Sequence, residues 1–199
     1  FIPSVGASGG IIMIWCSSVF SGQIFIQEQF ALGVVFKSKI SSHSWKLVNV
    51  YGPCQGEQRD RFTQWLFEID IPTTDDWLIL GDFNYIRSPD NRNKPGGDVN
   101  QMLLFNEAIS NSGLVELPLT GRQFSWSNMQ DNPLLEKSDW LFTSASRLIS
   151  YGDTTSLPMA KPASDHQPCM IKVGTTIPKS KVLDLRITGC NTVISKKLY

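Results

Sequence analysis

The stretch Trp77-Leu78-Ile79-Leu80-Gly81-Asp82-Phe83-Asn84 decides the reading of this chain. Four apolar residues halted by a glycine read as a short strand buried on both faces. Gly81 permits a sharp exit, and the strand then ends in a carboxylate and an amide two residues apart. Open sheets place ligand sites at such strand ends, which makes Asp82 and Asn84 candidate site residues. The same tetrapeptide also suits a plain turn, since Asp and Asn are turn residues.

Upstream of it, residues 11–15, 24–26, 32–36 and 47–51 are rich in branched and aromatic side chains and punctuated by Gly, Ser and Asn, as strands are. The period then changes. Phe62, Trp65, Leu66 and Ile69 recur at helical spacing while Glu57, Arg59, Asp60 and Glu68 point elsewhere, predicting a helix over 57–70 that packs one face on a sheet. Downstream lies a polar loop over 88–97. Asp98 is suited to cap a second helix carried by Met102, Phe105 and Ile109 and stopped at Gly113. Residues 114–117, 124–126, 140–142 and 168–173 read as further strands. Many short strands with a few helices between them predict a layered α/β or α+β domain over 1–173. Residues 174–199 carry several Lys and no apolar period, and are read as a tail outside that domain.

Composition narrows the classes. The 199 residues hold 18 Lys+Arg against 18 Asp+Glu, which excludes a strongly basic nucleic-acid arm or an acidic tail. With 41% apolar residues and 11 Phe the chain is too apolar to be mainly disordered. The longest apolar run, 11–16, is far short of the ~18 residues a membrane span needs. The first lysine is Lys37, which argues against a signal peptide. Cys16, Cys54, Cys169 and Cys190 are scattered, without zinc-ligand or disulfide-scaffold spacing, and read as thiols of a reducing compartment. Residue 1 is Phe rather than Met, so the chain is read as a fragment.

Three more polar features interrupt apolar strand ends. In Ser164-Asp165-His166 one side chain could hold a metal or orient a water while the other donates to a phosphate oxygen; the alternative is a surface loop. Asp139, entering the apolar run Trp140-Leu141-Phe142, needs a partner if buried. His166 is the better candidate of the two histidines, because His43 sits in a polar stretch; a surface-edge aspartate is the alternative. Tyr51, in Asn49-Val50-Tyr51-Gly52-Pro53, aims its phenol at the same rim or stacks on the core. There is no Gly-rich phosphate loop, G-x-S-x-G elbow or C-x-x-C. Ser164-Asp165-His166 is not a serine triad, because adjacent residues on an extended chain point to opposite sides.

Taken in order, Asn49-Val50-Tyr51-Gly52-Pro53, Gly81-Asp82-Phe83-Asn84, Gly121-Arg122-Gln123-Phe124-Ser125-Trp126-Ser127-Asn128, Lys137-Ser138-Asp139-Trp140 and Ser164-Asp165-His166 resemble the endonuclease/exonuclease/phosphatase superfamily. They are most similar to the apurinic-type endonuclease domain of plant LINE (non-LTR) retrotransposons. The resemblance implies a four-layered α/β sandwich, two mainly antiparallel sheets with outer helices. It implies hydrolysis of DNA phosphodiesters with Mg2+ (or Mn2+), no small-molecule cofactor, no membrane, and an intracellular setting that is nuclear if the chain is part of a retroelement protein. By motif, Asp82 would orient or deprotonate the attacking water, Asn84 would hold the scissile phosphate and Tyr51 would hydrogen-bond a phosphate oxygen. His166, oriented by Asp139, would stabilise the charge on phosphorus, and Asp165 would help hold the metal.

The family also carries an Asn strand and a metal-binding Glu strand upstream of its Ser-Gly-Gly segment. Here Ser8-Gly9-Gly10 follows Phe1 almost at once, and Glu28 lies beyond it. The expectation is a sandwich lacking its first strands, with metal binding weakened by the missing Glu and catalysis impaired. Ser138 stands where the family usually has an apolar residue. Two other readings are a catalytically dead remnant that binds nucleic acid or protein, and a phosphatase or phosphodiesterase acting on a small phosphoester. Arg87, Arg92, Lys94, Arg122 and Lys161 are the cations whose placement bears on DNA.

Overall fold

The computed structural model describes residues 1–4, 9–160, 164–174, 183–188 and 191–196, the last two segments by their backbone. In chain order its elements are β1 (Ile12–Ile14), β2 (Phe20–Glu28), β3 (Ala31–Ser38), β4 (Ser44–Tyr51), α1 (Glu57–Glu68), β5 (Trp77–Asp82), α2 (Val99–Asn111), β6 (Val115–Glu116), β7 (Trp126–Ser127) and β8 (Leu135–Glu136). There follow β9 (Asp139–Thr143), α3 (Ala145–Ser150), β10 (Thr155–Pro158), β11 (Cys169–Val173), β12 (Leu183–Thr188) and β13 (Asn191–Lys196).

The larger sheet has the order β2-β3-β4-β5-β9-β6, the smaller β1-β13-β12-β11-β10, and β7 and β8 form a separate ribbon. Neighbours are antiparallel except β4 with β5 and β1 with β13. A parallel pair needs a long crossover, and α1 supplies it between β4 and β5.

Alternation along each strand sorts the side chains into two cores. Leu32, Val34, Phe36, Trp45, Leu47, Leu78, Leu80 and Leu141 on one face of the larger sheet join Ile11, Met13, Ile171 and Val173 of the smaller sheet. Ala31, Val48, Val50, Ile79, Trp140 and Phe142 on the other face join Phe62 and Leu66 of α1 and Phe105, Ala108 and Ile109 of α2. The chain is therefore an α/β sandwich with α1 and α2 outside the larger sheet. Burial on both faces is why Trp77–Leu80 is continuously apolar rather than alternating.

Local signals hold where they are strong. Asp98 caps α2, accepting from the N–H of Asn100 and Gln101, and Gly113 takes a left-handed φ of 64° just past its end. One residue of α1 departs from the sequence reading. Arg59, expected on the outer face, is buried, its guanidinium stacked 3.8 Å over the Tyr85 ring. It donates to the carbonyls of Pro53 (2.9 Å), Cys54 (3.1 Å) and Asn84 (3.0 Å) and to the Gln101 side chain (2.7 Å). A buried cation is tolerated when most of its donors are met, and the two terminal nitrogens of the fork meet four acceptors while Nε has none.

The elements without a sequence signal are short. β8 has two residues, α3 six and β10 four, too few to establish a period. Beyond Gly174, β12 pairs with β11 and β13 pairs with β1, so this stretch contributes two strands to the smaller sheet. Among the described residues no helix is long and apolar enough to cross a membrane.

Candidate active site

Register brings the first three candidates together. Tyr51 of β4 pairs with Asp82 of β5, and Asp82 pairs in turn with Asp139 of β9. Register partners share a face, and these three share the parity of Leu47, Leu80 and Leu141, which face the gap between the sheets. They form a row across three adjacent strands at one end of the sandwich. Tyr51 packs against the inter-sheet core from this position.

The other side of the gap supplies His166, just before β11. Its Nδ1 lies 2.9 Å from Asp139 Oδ2 and its Nε2 lies 3.6 Å from Asp82 Oδ2. The expected partner of Asp139 is thus the observed one, while His43 pairs elsewhere, with Tyr151 and Asp76. Burial by itself would lower the His166 pKa. The hydrogen bond and charge of Asp139, with the charges of Asp82 and Asp165, outweigh it and raise the value to about 9. At neutral pH a protonated imidazole therefore stands between Asp82 and Asp139. Asp82, 8% exposed, is pushed up to about 7, first by burial and then by the charge of Asp139. His166, the Asn84 N–H and the Ser138 hydroxyl oppose that rise. Ser138, unusual by resemblance, is thus one of the groups that hold the Asp82 pKa down.

Asn84 adopts φ 53°, a left-handed conformation that asparagine tolerates. Its backbone N–H donates to Asp82 Oδ1 (2.9 Å), and its side-chain amide donates to Asp82 Oδ2 (3.0 Å) and to the Gly52 carbonyl (2.7 Å). Both amide protons thus hold the end of β5 in shape. Arg59 grips the Asn84 carbonyl from behind.

Asp165 is exposed and sits beside this group rather than in it, its Oδ2 accepting from the Trp126 indole N–H at 3.0 Å. The ligand atoms of Asp82, Asp139 and His166 lie within 4.8 Å of one another. A protonated imidazole donates through both nitrogens and coordinates nothing, so the oxygens are the donors for a metal. Asp82 and Asp139, with Asp165 alongside, make an acidic, oxygen-rich set of the kind that hard divalent cations such as Mg2+ or Mn2+ prefer. The residues present fit such a cation.

One segment had no role assigned from sequence. The buried Ser125 hydroxyl accepts from the N–H of Ser138 (3.2 Å) and of Asp139 (3.0 Å). Its carbonyl accepts from the N–H of Gln167, and the N–H of Ser127 donates to the Asp165 carbonyl (3.0 Å). Residues 125–127 therefore splint the Asp139 strand to the Asp165–His166 loop. A lone hydroxyl between Phe124 and Trp126 is the only sign of this in the sequence. Of the cations, Arg87 is paired with Glu116 (2.8 Å) and Arg92 with Glu136 (3.1 Å), and Lys94 donates to the Asn132 carbonyl. Arg122 is exposed, and Lys161 lies outside the described residues.

Among solved structures the chain is similar to the endonuclease domain of TRAS1, a telomere-specific non-LTR retrotransposon. The TM-score is 0.56 at 14% identity, over 80% of this chain and 70% of that one. It is also similar to a variant of beta toxin from Staphylococcus aureus with bound magnesium ions (TM-score 0.49, 15% identity, 74% of this chain and 58% of that one). A third is an endonuclease/exonuclease/phosphatase from Bacteroides vulgatus (TM-score 0.48, 16% identity, 73% and 55%). The chain spans little more than half of the latter two. No family model matches the sequence, and no curated protein matches it. At this identity the likeness is one of fold: the chain shares the fold of a retrotransposon endonuclease domain over four-fifths of its length.

Proposed function

We propose that this chain is a DNA-nicking, magnesium-dependent endonuclease domain of a retroelement. The observation that carries the reading is the Asp82–His166–Asp139 arrangement, a cationic donor held between two carboxylates at the strand ends. The likeness to the TRAS1 domain and the order of the motifs favour DNA as substrate and a LINE-type element as source.

Phosphodiester hydrolysis requires a positioned water, an acceptor for its proton, and donors for the charge that develops on the phosphoryl oxygens. Asp82 is the acceptor. Its pKa of about 7 leaves it substantially ionised at neutral pH yet more basic than an ordinary carboxylate. His166 is the donor to a phosphoryl oxygen, with Asp139 fixing the ring and keeping it protonated. Tyr51 contributes a phenol at the same rim. Asn84 orients Asp82, and it reaches the scissile phosphate by exchanging one of its two amide hydrogen bonds. Asp165 is the carboxylate that would hold the cation, which when bound supplies neutralising charge to the phosphate.

The test is conversion of supercoiled plasmid to open circles by wild-type chain, Asp82→Ala and His166→Ala, each with Mg2+ and with EDTA. Feeble nicking by the wild type alone, with Mg2+ alone, is the expected result. Hydrolysis of a small phosphoester without nicking would replace this reading with the phosphatase one. Metal-independent DNA binding without cleavage of either substrate would replace it with the binding remnant.

A further inference from the structure

The Trp126 indole donates to the Asp165 carboxylate, at 3.0 Å from Nε1 to Oδ2. The root of the indole is anchored on both sides. Trp126 pairs with Glu136 of β8, and on its other flank it bridges the backbone of His166. The N–H of Ser127 and the carbonyl of Ser125 clamp Asp165 and Gln167 from the same segment. An indole N–H is a donor only: it cannot coordinate a metal or accept a proton. What it can do is help fix the plane of a carboxylate on an exposed loop, at the cost of that side chain's rotational freedom.

We propose that Trp126 is a positioning residue for a divalent cation, holding Asp165 in the orientation in which it ligates. The inference rests on the metal-dependent reading of the site, in which Asp165 holds the cation. Partners that orient a ligating group act through the ligand, and their loss typically weakens metal affinity by roughly 10–100-fold. Trp126 should therefore act on metal affinity rather than on the chemical step.

Trp126→Phe keeps the ring and the backbone anchors and removes only the N–H. Mg2+ binding to wild type, Trp126→Phe and Asp165→Asn is measured by calorimetry, and thermal melts confirm folding. Plasmid nicking is then titrated against Mg2+. The expected result is roughly tenfold or greater weakening of Mg2+ binding in Trp126→Phe. Its nicking curve should shift to higher Mg2+ and approach the wild-type rate at saturation, and Asp165→Asn should weaken binding at least as much. Unchanged affinity in Trp126→Phe would overturn the inference while leaving the metal-dependent reading intact. So would a raised KM for plasmid at unchanged Mg2+ affinity, which would make the indole a DNA contact. A wild-type chain that neither binds Mg2+ nor hydrolyses either substrate would overturn the reading of the site and the inference with it.

Discussion

Asp82 and Asp139 stand directly opposite each other on β5 and β9, with the His166 ring reaching both, at 3.6 and 2.9 Å. Two carboxylates paired across antiparallel strands repel. The repulsion contributes to the raised pKa of Asp82, and an imidazolium between the two offsets it. The same ring therefore serves stability and the proposed chemistry.

Asp139→Asn separates these two roles. The amide retains the shape but loses the charge that keeps His166 protonated, so the His166 pKa should fall from about 9 toward the ordinary 6.5. An NMR titration of the ring reads this directly. Nicking at neutral pH should fall by ~10²–10⁴-fold, the usual range for a lost acid–base group. A ring that still titrates near its wild-type value would remove Asp139 from its assigned place.

Stability without metal should decline as pH rises. His166 has a folded pKa of about 9 against 6.5, so its contribution is complete below 6.5 and is lost as pH climbs through 9. Asp82 rises from 3.8 to about 7, so between those values the native state holds a proton that the unfolded chain has released. That too makes stability fall with rising pH. Calorimetry in EDTA should show a higher Tm at pH 6 than at pH 9, with the difference reduced in His166→Ala. An equal drop in both proteins would count against the His166 assignment.

Gly81→Ala should be among the most damaging single-methyl changes. Gly81 has φ 136°, and an added Cβ would lie 2.0 Å from the Val50 carbonyl oxygen in β4. Strain of this kind costs ~1–3 kcal/mol before the clash is added. Gly121 is the control: its φ is 78°, but a Cβ there meets nothing within 4 Å. Urea melts of Gly81→Ala and Gly121→Ala should differ clearly, with Gly81→Ala the less stable.

Arg59→Ala should loosen both loops at the site from behind. Its removal strands three backbone carbonyls and the Gln101 side chain, and a buried orphan costs ~1–3 kcal/mol. Arg59→Lys keeps the charge but not the fork, and should fall between wild type and Arg59→Ala in denaturant midpoint. A lysine variant as stable as wild type would show that charge, not geometry, is what that position needs.

Sequence alone determined the elements whose signal is repeated along their own length. The unbroken apolar run Trp77–Leu80, the helical spacing of Phe62, Leu66, Phe105 and Ile109, and the Asp98 cap all report local burial or local hydrogen bonding. Each is legible because every residue of the element samples the same surroundings. The chemical types at the strand ends, Asp82, Asn84, Asp139, Asp165 and His166, were legible for a related reason: a polar residue ending an apolar strand departs from the pattern around it. Tertiary structure alone decided which of them meet. The Asp82–Asp139 pairing is a matter of strand register, and register is set by the packing of the whole sheet rather than by either residue. The inward turn of Arg59 depends on carbonyls of the loop leading into α1 and of the remote loop at Asn84. The roles of Ser125 and Trp126 depend on a two-residue ribbon too short to show a period. A side chain's chemistry is encoded where it stands, but its partner is chosen by the fold, because contact energy belongs to pairs and a linear pattern records only single positions.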